Sequence, residues 1–397
     1  MKYAILVGDG MADFPLQELD NRTPLEYAKT PNMDAVAAAG RVGLVKTVPD
    51  GVAPGSDVAN MSLMGYDPVK YYSGRAPIEA ASMGIRLGKS DVAFRCNLVT
   101  LKCGIMEDYS AGHIETADAH EIIAVLQKEL GTQGVAFYPG VSYRHILVIS
   151  DFPEGKLSCT PPHDISDRAY ADHLPSGAGQ DIARRLMEAA RPVLASCPVN
   201  KRRESLGKKP ATDIWLWGQG KGLALPTMKE RFSISGSVIS AVDLVRGIGV
   251  LAGLNVRIVP GATGYLGTNY AGKVAAAREA LAKEDFVFVH IEAPDETSHE
   301  GSLEKKIQAI EEFDKNIVGE VFGLRDEFPD LRVMVLPDHA TPVPLKTHHA
   351  APVPFAVCGP GVDGDGSVSY CEKSAAGKKM YTGVTLFETF IRGNFNK

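Results

Sequence analysis

No apolar run in the sequence approaches the ~20 residues that a membrane-spanning helix needs. Cysteine is scarce: six in 397 residues, at 96, 103, 159, 197, 358 and 371, with no pair at the two-residue spacing of a zinc or thioredoxin motif. Cysteines scattered in this way read as reduced core residues of a cytosolic protein. There is no surplus of positive charge either: 42 Lys and Arg stand against 48 Asp and Glu, a net of −6. The broad basic field that phosphate-backbone binding requires is missing, which excludes nucleic acid and anionic membrane as expected partners. The N-terminal apolar run, 3–8, ends at Asp9 and is too short for the hydrophobic region of a secretory signal, so a cytoplasmic protein is expected.

What is present belongs to a globular chain. Hydrophobic residues make up 45% and charged residues 23%, which rules out the composition of a disordered protein. Forty glycines and 25 prolines point to a loop-rich chain, and loops are where sites sit. The length suggests two to four domains at about 100–200 residues each, two being the preferred number. Short β-branched runs at 3–7, 255–259, 286–291, 332–336 and 355–358 alternate with helical patterns, the arrangement of an α/β fold with a mainly parallel sheet. Thr30-Pro31 and Gly40 frame one helix. Asp118 with Glu121 predicts a capping box opening a helix that runs to Leu130. Leu303, Ile307, Ile310, Phe313, Ile317, Val321 and Leu324 recur at three and four, predicting one long amphipathic helix over 302–324. The stretch 88–207 differs, with strand-like pieces at 94–101 and 144–150, two helices and a Pro-rich loop. Its end, the basic and polar segment 201–209, reads as a solvated crossing back from an inserted domain. The expected organisation is 1–87 with 208–397 as one domain and 88–207 as the insert.

In open α/β sheets ligands bind beyond the carboxyl ends of the strands. Three of the predicted strands run there into acids and imidazoles. The first leads to Asp9, the second to Asp295-Glu296-Thr297-Ser298-His299, and the third to Asp338-His339, with His348-His349 shortly after. One Asp in such a place is ordinarily a turn or a cap, and one His a structural residue; together they form a ligand set. Asp295 and His299, four apart, share one face of a helical turn. Asp338 and His339 are adjacent and converge on one ion only in a turn. With His348 these are six donors, more than one tetrahedral ion can use and suited to two. Mixed carboxylate and imidazole ligation suits Mn, Zn or Fe better than Ca. Ser56 follows Pro54-Gly55 at the expected start of a short helix. It reads either as a helix cap or as a nucleophile placed where helix N–H groups and dipole meet a phosphoryl group. No histidine neighbours it in sequence, so its activation would fall to a metal. Gly247-Ile248-Gly249 lies within a helical pattern rather than after a strand, which discounts it as a dinucleotide loop.

These residues resemble the alkaline phosphatase superfamily: Asp9, Pro-Gly-Ser-Asp-Val-Ala-Asn at 54–60, Asp295 with His299, Asp338-His339, and His348 before Pro352-Val353-Pro354. The longer segment Pro-Gly-Ser-Asp-Val-Ala-Asn-Met-Ser-Leu-Met-Gly-Tyr-Asp-Pro at 54–68 is similar to the archaeal-type 2,3-bisphosphoglycerate-independent phosphoglycerate mutases, as are Gly-Arg-Ala-Pro-Ile-Glu-Ala at 74–80 and Arg-Cys-Asn-Leu at 95–98. The similarity spans nearly the whole chain. It implies an alkaline-phosphatase-like α/β domain with a mainly parallel central sheet, interrupted by an inserted α+β lid domain that binds substrate. It also implies two divalent ions, usually Mn(II), with Mg, Zn or Co as alternatives. Asp9, Ser56, Asp338 and His339 would hold one ion, and Asp295, His299 and His348 the other. His349 departs from the pattern, which usually has a hydroxyl residue there. The residues after Ser56 do not match a sulfatase motif.

The implied reaction moves a phosphoryl group between the 3- and 2-positions of glycerate through a phosphoserine on Ser56, without bisphosphoglycerate or nucleotide. The insert is the expected water-excluding lid. Within it His113, Arg144 and His163 are expected to bind substrate and Asp164 to act as acid/base. Arg144 is the expected anion clamp because a guanidinium grips carboxylate or phosphate bidentately. The expected partner is a small phosphoglycerate, with a homo-oligomer left open. Competing readings are a phosphotransferase on another small alcohol, as in relatives carrying a homoserine-kinase label, a metal-dependent phosphatase, and a metal-stabilised binding module. Neither a P-loop nor a kinase Gly-rich loop is present to serve a kinase.

Overall fold

A computed structural model describes residues 1–395. The chain forms two compact units, one from Met1–Tyr72 with the chain from Ala224 onward, the other from Ser73–Leu223. The sequence reading puts the seams at 87/88 and 207/208, both inside the second unit. Two elements account for the difference. Helix Arg75–Ser82 sets Ala76 and Ala80 against Ala93, Ile146 and Val148 of that unit's sheet. Strand Asp213–Lys221 pairs antiparallel with Val92–Lys102.

The first unit is built on an eight-stranded sheet. Its spatial order is Asn255–Val256, Gly236–Ile239, Phe286–Ile291, Lys2–Gly8, Leu331–Leu336, Val353–Cys358, Gly40–Lys46 and Met380–Thr382. Only Val353–Cys358 runs against its two neighbours; the other pairings are parallel. Central strands buried on both faces explain their nearly continuous apolar runs, interrupted only at His290 and Arg332. The sequence reading passes over Gly40–Lys46, Gly236–Ile239 and Met380–Thr382. Glycines and polar residues interrupt the first two, and the last has three residues. The predicted strand at 255–259 shortens to Asn255–Val256.

The predicted helix over 302–324 forms without a break, with one irregular turn. It runs Leu303–Phe313, widens to a π-turn at Asp314–Val318 and resumes as Gly319–Gly323. Buried Asp314 opens that turn. Its carboxylate accepts from the backbone N–H of Met33 at 2.7 Å and from the Asn32 amide at 2.8 Å. It thus serves the free N–H groups of helix Pro31–Ala38, whose preceding Thr30 makes no side-chain cap.

The second unit is an α+β layer. A five-stranded antiparallel sheet centred on Val92–Lys102 is packed by helices Thr116–Leu130 and Gln180–Ser196. The predicted capping box at Asp118 does not form. Helix Thr116–Leu130 starts after Glu115, and Asp118 instead takes Arg202 at 2.8 Å and Arg203 at 3.0 Å. The segment 201–209 is solvated as expected except at Arg203, but the chain does not cross between the units there. Pro198–Ser205 is a helix, and Arg203 is buried, donating to Asp118 and to the carbonyls of Ala111 and Lys209. Two cysteines depart from the expected core placement, Cys103 being exposed and Cys159 half-buried. Among the described residues no helix is long and apolar enough to cross a membrane.

Candidate active site

Strands Phe286–Ile291, Lys2–Gly8 and Leu331–Leu336 lie side by side and parallel, with Val7 level with both His290 and Leu336. Their carboxyl ends therefore deliver the next residues of three segments to one place. Asp9 follows the first strand directly. Helix Ala293–His299 carries Asp295 and His299 one turn apart. Asp338 and His339 turn inward beyond Leu336, where both are fully buried.

The turn at Gly10 makes this convergence possible. Gly10 sits at φ +61°, and a Cβ there would meet Thr341 Oγ1 at 2.6 Å and Asp295 Cα at 2.8 Å. Its N–H donates to Asp338 Oδ1 at 3.1 Å. Ser56 is the first residue of helix Ser56–Leu63, but it does not cap it: Gly55 is the N-cap residue and no side-chain cap bond is present. The fold brings to Ser56 the histidine that its sequence neighbourhood lacks, with His339 Nε2 3.1 Å from the hydroxyl. The same Nε2 stands 3.4 Å from Asp9 Oδ1 and 3.6 Å from Asp338 Oδ2. Asp9, Ser56, Asp338 and His339 are thus gathered around one point. Asn60 supports them from the same helix, its amide donating to Asp338 Oδ2 at 2.7 Å and to the Ser56 carbonyl at 2.9 Å.

The remaining predicted ligands form the adjoining group. His299 Nε2 lies 3.1 Å from Asp295 Oδ2 and 3.0 Å from His348 Nε2, and His348 Nε2 lies 3.6 Å from Asp295 Oδ1. His299 Nδ1 donates to the Lys346 carbonyl at 3.0 Å, which fixes the ring with Nε2 toward Asp295 and His348. His349 stays outside the group. Its N–H donates to Ala340, its Nδ1 accepts from Ala351, and its ring packs on Phe14.

The electrostatics suit cations. Burial, then the charges of Asp338 and Asp295, push the Asp9 carboxyl well above its ordinary range. Burial also opposes ionisation of Asp295, but hydrogen bonds from His299 and His348 outweigh it and hold that carboxyl well below its ordinary range. The Asp295 hydrogen bond raises His299 to about 9. Two buried ammonium groups are committed elsewhere: Lys273 donates to the His290 carbonyl, and Lys306 to Asp13. Asp9 Oδ1 is buried without a hydrogen-bond donor among the described residues. Three buried carboxylates with imidazole and hydroxyl neighbours, one oxygen unmet, fit divalent cations. Residue triplets close enough to share an ion are Asp295–His299–His348, Asp9–Asp295–His339 and Asp9–His290–Asp338.

The sequence reading misses His290, Asn60 and Thr341. His290 is fully buried, with Nε2 2.9 Å from Asp9 Oδ2 and Nδ1 3.3 Å from Ser240 Oγ. Burial lowers it to about 4, so the ring is neutral. Its position as a polar residue inside an otherwise apolar strand is the available signal.

In the second unit, three predicted residues gather around two tyrosines. The His113 ring is 6.4 Å from Tyr109 and 6.3 Å from Tyr143, and the His163 ring is 6.2 Å from Tyr109. The Arg144 guanidinium stands over Tyr143 at 5.5 Å. Asp164, in a short 3-10 turn, is exposed and lies 3.6 Å from His163 Nε2. The sequence reading assigns no role to Arg75, Arg95 and Glu79. Glu79 pairs with Arg75 at 2.8 Å and with Arg95 at 2.9 Å, and Arg95 lies over Trp217 at 4.3 Å. Burial works against ionisation of Glu79, but Arg95 and Arg75 prevail and lower it. The i,i+4 spacing of Arg75 and Glu79 is the signal that could have found this pair. Arg75, Arg95 and Arg144 against one Glu79 leave this cluster with a positive surplus.

Known proteins place the chain. A family model for 2,3-bisphosphoglycerate-independent phosphoglycerate mutase matches residues 37–200. The enzyme of that name from Methanothrix thermoacetophila is 53% identical over 396 residues, covering 99% of this chain and 100% of its own. A probable one from Geobacter sulfurreducens is 51% identical, covering 98% and 100%. Among solved structures, a Pyrococcus horikoshii protein superposes with a TM-score of 0.82 at 28% identity, covering 99% of this chain and 98% of its own. The cofactor-independent phosphoglycerate mutase of Thermoplasma acidophilum superposes with a TM-score of 0.68 at 26% identity, covering 99% of both chains. With half of its residues shared along its whole length with the named Methanothrix enzyme, this chain belongs to the 2,3-bisphosphoglycerate-independent phosphoglycerate mutases.

Proposed function

We propose that this chain is an isomerase that interconverts 3-phosphoglycerate and 2-phosphoglycerate, a step of glycolysis and gluconeogenesis, by intramolecular phosphoryl transfer through Ser56. The observation that carries the reading is the placement of the Ser56 hydroxyl at a helix N-terminus among Asp9, Asp338 and His339, beside the group Asp295, His299 and His348. Asp9, Ser56, Asp338 and His339 would hold one divalent ion, with Mn(II) the leading candidate, and Asp295, His299 and His348 the other. Such ions, when bound, lower the pKa of a ligating hydroxyl and neutralise charge on a transferring phosphoryl group.

The chain's own residues do the rest. The free N–H groups opening helix Ser56–Leu63 face an incoming phosphoryl group. Asn60 holds Asp338 against the Ser56 turn. Ser56 attacks phosphorus and takes the phosphoryl group, and the freed glycerate retrieves it on its other hydroxyl. A mutase must hold glycerate between the two transfers. The second unit would do this as a lid, its arginines binding carboxylate and phosphate. His113, Arg144 and His163 would contact substrate there, with Arg75 and Arg95 reinforcing the charge and Asp164 exchanging the hydroxyl protons.

Incubation of the protein with 3-phosphoglycerate and Mn(II), without ATP or bisphosphoglycerate, tests the proposal. Formation of 2-phosphoglycerate is expected. Release of inorganic phosphate alone would identify a phosphatase, and absence of both products would leave neither reading standing.

A further inference from the structure

We infer that Thr341 is a positioning residue, its one hydroxyl fixing both the ring of His339 and the carboxylate of Asp295 for ion binding. This rests on the two-ion reading above. Thr341 is fully buried. Its Oγ1 lies 2.5 Å from Asp295 Oδ1 and 3.2 Å from His339 Nδ1. A hydroxyl has one proton and an ionised carboxylate only accepts, so that proton goes to Asp295. The hydroxyl can then only accept from His339. The ring is therefore the Nδ1–H tautomer, and its lone pair sits on Nε2. That is the nitrogen facing Ser56 Oγ at 3.1 Å and Asp9 Oδ1 at 3.4 Å. On the other side, the same hydroxyl engages Asp295 Oδ1 while Oδ2 meets His299 at 3.1 Å. One side chain thus orients a member of each ligand group.

The backbone of Thr341 is itself held in place. Its N–H donates to the Ala12 carbonyl at 3.2 Å, and its carbonyl accepts from Lys306 Nζ at 2.9 Å. The buried Lys306 ammonium completes its three donors on Ala12 O at 3.2 Å and Asp13 Oδ2 at 2.8 Å. The segments following Asp9 and Asp338 are thereby tied together, which holds the hydroxyl against both Asp295 and His339. Partners of this kind on a ligand's far side commonly change metal affinity about 10–100-fold when removed.

The test is calorimetric titration of Mn(II) into ion-free wild-type, Thr341→Val and Thr341→Ser proteins. Valine keeps the shape and removes the hydroxyl; serine keeps the hydroxyl. The expected result is about a 10–100-fold loss of affinity for valine, with serine restoring binding. In Mg(II)-loaded wild-type protein, nitrogen NMR should find His339 protonated on Nδ1. Valine binding as tightly as wild type, valine and serine weakened equally, or a His339 ring protonated on Nε2 would each overturn the inference. Should the valine variant fail to fold, serine binding and the wild-type tautomer decide. A wild-type protein that takes up no ion would instead refute the two-ion reading, a result in which the Thr341 variants play no part.

Discussion

Ser56 opens its helix, yet the cap position belongs to Gly55 and the hydroxyl is turned to His339. Replacing a true serine cap costs about 0.5–2 kcal/mol. Ser56→Ala should cost less stability than that while eliminating 2-phosphoglycerate formation. Thermal melts and turnover on the same preparation separate the two effects, and retention of a substantial fraction of wild-type rate would remove Ser56 from the nucleophile role. At this scale much of the site was legible. Asp9, Asp295, His299, Asp338, His339 and His348 are recognisable because strand-end acids and imidazoles are few and their spacing is constrained. His349 beside His348 is separated from it only by the fold, which pairs its backbone with Ala340. His290 and Thr341 escape notice because their role lies in what they touch. One lies within a strand and the other two residues past a ligand, and neither spacing indicates that each reaches a ligand's second atom.

At the scale of elements, the site depends on how closely the segment after the first strand approaches its neighbours. Gly10→Ala meets two obstacles. An L-residue at φ +61° is strained by about 1–2 kcal/mol. The new Cβ also meets Thr341 Oγ1 and the Asp295 backbone, and the latter cannot swing away. The variant should lose Mn(II) binding and activity out of proportion to its loss of stability, as calorimetric titration and a melt would show; wild-type affinity in Gly10→Ala would mean the turn is tolerant. Elements were legible where one period governed them, as in the central strands. They were misread where a tertiary partner overrode the local pattern. Asp118 abandons a capping box for two arginines, one of them buried. Arg203→Ala strips the Ala111 and Lys209 carbonyls of their buried donor, while Asp118 keeps Arg202, and should destabilise the second unit by about 1–3 kcal/mol. Chemical denaturation should show this loss while Mn(II) affinity, set by the first unit, stays unchanged. An equal loss of ion affinity would show that Arg203 serves more than its own unit.

For the whole molecule, the proposed chemistry would divide between two units that the chain makes by leaving the first after Tyr72 and returning at Ala224. The excursion itself was visible in the sequence as a change of pattern. Its limits were not, because helix Arg75–Ser82 and strand Asp213–Lys221 resemble the elements of either unit and only their packing assigns them. The division has a functional consequence. In the proposed mechanism the first unit's residues would move a phosphoryl group onto Ser56, and that step alone would not distinguish a mutase from a phosphatase. The distinction lies in whether glycerate outlasts the phosphoserine, which falls to cations elsewhere. Arg75 and Arg95 are paired with Glu79, whereas Arg144 presents its charge over the Tyr143 ring with no carboxylate bonded to it among the described residues. Arg144 is therefore the guanidinium with the most charge to offer an incoming carboxylate or phosphate. Arg144→Ala should loosen the retained glycerate more than it slows formation of phosphoserine. In the assay with 3-phosphoglycerate and Mn(II), the ratio of inorganic phosphate to 2-phosphoglycerate should rise while metal content is unchanged. If both products fall by the same factor, Arg144 acts before the first transfer, in general binding, and retention must be assigned to His113, His163 or the Arg75–Arg95 pair.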